Sequence, residues 1–146
     1  MTTVGRRVLL WGPVVAYMAA IFYFSAQSSP PTPGGLPDTF AHAIEYFGLG
    51  VVVFRALAGG LGAQVTAVRA MATMGIAVAY AVSDEVHQLF VPNRTADAGD
   101  VFADAAGASV ALFACWAWNI IVASNRRGRG PDKARATDAP RSGSRH

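Results

Sequence analysis

Four apolar stretches divide this chain, at roughly residues 8–25, 40–58, 68–90 and 101–123. Each approaches or reaches the ~20 residues that a helix needs to cross a bilayer. The breaks between them are clear. "QSSPPTPGGLPD", Gln27 to Asp38, is too rich in Pro and Gly to continue a helix. "AGGLGAQ", Ala58 to Gln64, separates the second stretch from the third, and Pro92 with Asn93 ends the third. The pattern predicts an all-α integral membrane bundle of four transmembrane helices. Residues 1–124 form that domain, and 125–146 are Arg-rich, without apolar periodicity, and read as a disordered tail.

Composition strengthens this reading. The chain has 146 residues, enough for one domain, and is 53% hydrophobic but only 14% charged. A soluble domain carries about 25% charged residues. The single cysteine, Cys115, excludes an intramolecular disulfide and a cysteine-based zinc cluster. Arg6 and Arg7 precede the first apolar run as in a secretory signal. However, "FYFSAQS" places aromatic residues where a cleavage site needs small ones, so the segment reads as a retained helix.

Charge orients the chain. With the N-terminus inside, segments 1–7, 55–70 and 124–146 are cytoplasmic and hold 11 of the 12 basic residues; only Arg94 lies outside. The positive-inside rule therefore puts both termini in the cytoplasm. The net charge of +3 comes mostly from the tail, and no basic patch interleaved with aromatics supports nucleic-acid binding. Trp11, Trp116 and Trp118 fall toward the cytoplasmic side as membrane anchors or lipid-facing bulk.

The acids sort to the other end. Asp38, Glu45, Asp84, Glu85, Asp97, Asp100 and Asp104 all fall at outer helix ends or in outer loops, as do His42 and His87. "SDEVHQLFVPNR", Ser83 to Arg94, closes the third helix; Asp84, His87, Gln88 and Tyr80 share one face there, with Glu85 beside Gln88. Asp84 lies about 12 Å below the helix end near Pro92, at ~1.5 Å per residue. An ionised carboxylate at that depth needs a partner or a water-filled cleft. On the second helix His42 and Tyr46 share a face with Glu45 beside them, and Asp38 is the expected N-cap. On the fourth, Asp97 is the expected N-cap, Asp100 and Asp104 share a face with Gly107, and Ala103, Gly107 and Ala111 form a small-residue ridge. Ser25 and Gln27 end the first helix.

Several roles stay open on these residues. His42 is a metal ligand or proton shuttle, or a histidine bonded to a carboxylate across the bundle. Glu85 with Asp84 is a general acid/base pair or an interhelical clamp. Asp100 and Asp104 can join Glu85 and His42 around a divalent ion, or Asp100 can simply stabilise a helix N-terminus. Arg94 holds an anionic group or pairs with Asp97 or Asp100. No Ser–His–Asp constellation can be read from the spacing.

The chain resembles the VanZ-like membrane proteins. The resemblance rests on "IFYFSAQS" at 21–28, "HAIEY" at 42–46, "SDEVHQLFVPNR" at 83–94 and "DVFADAAG" at 100–107, and covers roughly residues 20–111. It implies a four-helix membrane domain and a link to tolerance of lipoglycopeptides such as teicoplanin, as in the founding member. His42, Glu85, Gln88, Arg94, Asp100 and Asp104 match the recurrent polar positions. Asn93 stands where Gly is common, and Ala111 where a second Gly often follows Gly107.

Three classes of function follow. In the first, the protein acts on cell-envelope components at the outer leaflet of the cell membrane. Glu85, His42 and Asp104 are then the catalytic candidates, and Arg94, Gln88, Asp100, Asp84 and Tyr46 hold a lipid intermediate or other anionic head group. In the second, the same residues bind a lipid or antibiotic without chemistry. In the third, they belong to a small proton-coupled transporter; against it, the cytoplasmic half has no matching acids and no helix pair is visibly broken.

Overall fold

The computed structural model describes residues 2–28 and 37–127. The prolines and glycines at 30–35 and the basic tail from residue 128 lie outside the described residues. Four helices make up the fold: α1 (Thr3–Ser25), α2 (Asp38–Ala58), α3 (Ala67–Gln88) and α4 (Ala98–Arg127). The apolar pattern located all four. α1 starts earlier than expected because the Thr2 hydroxyl caps it, accepting from the Gly5 N–H at 3.2 Å. α4 runs past its apolar stretch, so Asn125 to Arg127 are helical where composition read the start of the tail.

The helices run alternately up and down. Arg55 near the end of α2 donates to the Leu9 carbonyl near the start of α1 at 3.1 Å. Tyr80 of α3 donates to Met18 of α1 at 2.6 Å, so α1 and α3 are parallel, as are α2 and α4. Residues distant in sequence therefore meet at two ends. One end carries the starts of α2 and α4 and the finishes of α1 and α3.

The interior is made of small or tightly enclosed side chains: Ala77, Ala81, Ala108 and Ala111 are buried, with Tyr46, Leu49 and Val53 between them. Large apolar side chains point outward instead, including Val8, Ile44, Val86 and Phe113. In water this surface would be a large unfavourable apolar patch; in lipid it is the matching one. Among the described residues, Thr3–Ser25, Asp38–Ala58 and Ala98–Arg126 are long and apolar enough to cross a membrane. α3 is not among them, so three of the four expected spans meet that criterion. Its length suffices, but Arg69 at one end and Asp84, Glu85, His87 and Gln88 at the other dilute its apolar content.

α2 and α4 pack most intimately. A Cβ at Gly107 would overlap the Ala43 carbonyl and sit 3.0 Å from the Phe47 nitrogen, so the two backbones approach to a distance only glycine allows. Gly50 performs the reciprocal service: its missing Cβ leaves room for that of Ala111, which would otherwise lie 2.9 Å away. Ala111 in place of a second glycine is thus matched by Gly50 opposite. The Gly107–Ala111 part of the small-residue ridge is used within the chain, against α2.

Candidate functional site

The close approach of α2 and α4 brings His42 to the aspartates of α4. His42 Nδ1 lies 3.2 Å from Asp104 Oδ1, and both side chains are buried. His42 Nε2 faces Asp100 Oδ2 at 4.0 Å, beyond hydrogen-bond length. Asp100 and Asp104, one helical turn apart, bracket the imidazole. Of the readings open for His42, the contact with a carboxylate across the bundle is present.

α3 closes the other side. Glu85 Oε2 accepts the Asp97 N–H at 2.8 Å, and Asp97 Oδ1 accepts the Gly99 N–H at 2.7 Å. Asp97 is therefore the N-cap of α4, as expected, and Glu85 satisfies the capping residue's own backbone donor. One oxygen of Glu85 is thus structural. Asp84 Oδ2 accepts from Gln88 Nε2 at 3.4 Å, one turn along α3. Glu85 lies within electrostatic reach of His42, Asp100 and Asp104, and Tyr46 within reach of Asp84 and Asp104. His87 stacks on Phe22 of α1 with ring centroids 4.2 Å apart, which makes it a wall between α1 and α3.

The loop after α3 makes the rim. Arg94 donates to Asp38 Oδ2 at 3.2 Å, not to Asp97 or Asp100, the partners the sequence offered. Asp97 is occupied by the cap; Asp100 faces His42 at 4.0 Å instead. Asp38 itself is not the N-cap of α2; Pro37 holds that position, and Asp38 is the first helical residue. There its charge still favours the helix N-terminus. Asn93 has φ 63, the left-handed conformation that glycine adopts freely and asparagine tolerates. Asp38, Thr39, Asn93, Arg94, Thr95, Asp97 and Asp100 line a polar cleft of about 290 Å³ above the buried group.

Among the described residues, seven buried side-chain atoms have no hydrogen-bond partner: Ser25 Oγ, Tyr46 OH, Asp84 Oδ1, Glu85 Oε1, His87 Nε2, Arg94 Nε and Asp104 Oδ2. Each such atom costs about 1–3 kcal/mol if left unsatisfied, more when charged. All lie at the same end of the bundle. A native fold rarely tolerates this many together without a polar guest such as water or ligand.

Every sequence candidate except Arg94 thus belongs to one buried group: His42, Tyr46, Asp84, Glu85, Gln88, Asp100 and Asp104. Arg94 sits on the cleft, tied to Asp38. The divalent-ion grouping differs from the one expected. Ligand atoms of Asp38, His42 and Asp100 lie within 4.8 Å of one another, whereas Glu85 and Asp104 stand outside that set. Asp38 was legible as a partner of His42 from its i, i+4 spacing, but the cap role masked it.

A helical membrane protein with polar side chains gathered at one end of its bundle is the class these features define. A family model described as VanZ/LLP1 matches residues 11–122, well over half of the chain and all of the polar group. The chain belongs to the VanZ/LLP1 family. No curated protein and no solved structure matches it.

Proposed function

We propose that this VanZ-like protein is a multi-pass protein of the cell membrane whose polar end faces outward and engages the anionic head group of a cell-envelope component. α3 completes a four-span bundle, with both termini in the cytoplasm. The observation that carries the reading is the set of unpartnered buried atoms at the same end of the bundle as the Asp38–Arg94 cleft. Polar atoms at that depth in an apolar bundle suit a guest that brings its own donors and acceptors. Arg94 is the one outer cation, with its Nε unpartnered, and the first turns of α2 and α4 add their dipoles. The head group enters at Arg94; Gln88, Asp84, Asp100 and Tyr46 line its path; Glu85, His42 and Asp104 supply acid–base capacity. The family resemblance adds teicoplanin tolerance as the phenotype.

A second reading, a binding module without chemistry, has its own support. Glu85 caps α4 through Asp97, Asp104 holds His42, and Asp84 holds Gln88, so these three acids already have structural contacts.

Teicoplanin susceptibility of a sensitive host tests the proposal. The host expresses the protein, its Arg94→Gln variant or its Glu85→Gln variant at matched membrane levels. Protection by the unaltered protein and its loss in Arg94→Gln is the expected result. If Glu85→Gln still protects, the binding reading stands without the chemistry. If the unaltered protein gives no protection, the antibiotic link is wrong for this chain. If Arg94→Gln protects equally, the anion site is wrong.

A further inference from the structure

His42 has one nitrogen in use and one free. Nδ1 meets Asp104 Oδ1 at 3.2 Å, and with Asp104 ionised, a carboxylate that only accepts, Nδ1 carries the proton. In the neutral ring the Nε2 lone pair is then exposed to Asp100 Oδ2, which stands 4.0 Å away and cannot donate to it when ionised. The His42 side chain is only 6% exposed. That nitrogen has no hydrogen-bond partner among the described residues and faces carboxylates that cannot donate to it, an arrangement that a metal ion completes. Asp38, one turn before His42 on α2, brings the third donor, all three lying within 4.8 Å of one another. Metal–ligand bonds of ~2.0–2.2 Å draw such donors together by side-chain shifts of about 1 Å. Asp104 then has the place of the outer carboxylate that fixes a ligating histidine's tautomer and ring orientation.

We propose that Asp38, His42 and Asp100 bind a divalent cation of the zinc or manganese class, with Asp104 as the positioning residue behind His42. One imidazole and two carboxylates suit those ions better than calcium or magnesium, which take oxygen ligands. Two interlocked pairs build the site, Asp38 with His42 on α2 and Asp100 with Asp104 on α4, each at i, i+4 spacing. Three protein ligands leave coordination positions open toward the cleft, whose lining includes Asp38 and Asp100. Arg94 competes with the ion, since its guanidinium holds Asp38 Oδ2 at 3.2 Å. The site needs no particular envelope ligand, so it stands or falls apart from the head-group reading.

Calorimetric titration of Zn²⁺ into the chelator-stripped full chain, purified in detergent, tests the proposal. One saturable site per chain is expected. Asp38→Asn and Asp100→Asn should weaken it at least about tenfold, and Asp104→Asn by roughly 10–100-fold, the usual range for an outer-shell partner. Arg94→Gln should tighten it, because Asp38 is released; misfolding cannot produce a gain. Asp38 is half exposed, so Asp38→Asn leaves the buried bundle intact. Absence of saturable binding overturns the proposal. So does binding that Asp38→Asn and Asp100→Asn leave unchanged, which would place the ion elsewhere. An imidazolium held between Asp104 and Asp100 without a metal predicts that null result.

Discussion

His42 and Asp104 are separated by 62 residues in the chain and by 3.2 Å in the fold. Their contact ties α2 to α4 where the bundle is most polar. Asp104→Ala removes the acceptor and leaves a buried imidazole N–H unsatisfied, a loss of about 1–3 kcal/mol. Asp104→Asn keeps a carbonyl oxygen in place and should lose less. Unfolding in detergent, followed by circular dichroism, measures both. Equal losses would mean that the contact contributes little.

Gly107 is the position on which that contact depends. In Gly107→Leu the side chain has no room, because even a Cβ would overlap the Ala43 carbonyl. The helices must separate, with a loss of at least about 1–3 kcal/mol, typical of overpacking. Gly50→Ala should be milder and partly rescued by Ala111→Gly, which removes the methyl 2.9 Å away. Melting temperatures of the two single variants and the pair check this. No rescue would argue that the Ala108 backbone, not Ala111, limits the approach.

Glu85 holds α4 through the Asp97 N–H at 2.8 Å. Glu85→Gln retains an acceptor and should fold nearly as well as the parent. Glu85→Ala should lose about 1–2 kcal/mol, the usual effect of losing a capping interaction. A stability comparison separates this structural duty from any chemistry: a function lost in Glu85→Gln at full stability belongs to the site.

Asn93 occupies the left-handed region at φ 63. Asn93→Gly should be neutral or slightly favourable. Asn93→Val should lose about 1–2 kcal/mol, because a β-branched side chain without asparagine's local hydrogen bonding is poorly tolerated in that region. It should also loosen the adjoining Arg94–Asp38 pair. Thermal melts check the first effect.

Much of this was readable from the chain alone. Helix positions followed from apolar runs and their Pro and Gly breaks, since a membrane helix has to be apolar over its whole length. The polar face followed from spacing: Asp100 with Asp104 and His42 with Tyr46 are fixed by helical periodicity. What spacing does not carry is the rotation of one helix against another. That is why Arg94 was offered Asp97 or Asp100 and meets Asp38, and why Glu85 serves Asp97 across a loop. Helix ends also escaped. The caps of α1 and α2 depend on the Thr2 hydroxyl and the Pro37 carbonyl, local contacts that hydropathy does not sense. α3 shows the limit of the apolar pattern itself: a helix that carries the site's acids pays for them in hydropathy.

The central claim is that the polar end of the bundle faces outward. It is tested most directly by labelling single cysteines in intact cells with a membrane-impermeant maleimide. Cys115, the one native cysteine, is first replaced by Ser. Thr95→Cys marks the cleft, and Gly62→Cys marks the loop at the opposite end, beside Asn119. The account predicts that Thr95→Cys labels in intact cells and Gly62→Cys only after permeabilisation. The reverse pattern would turn the site toward the cytoplasm and contradict the account.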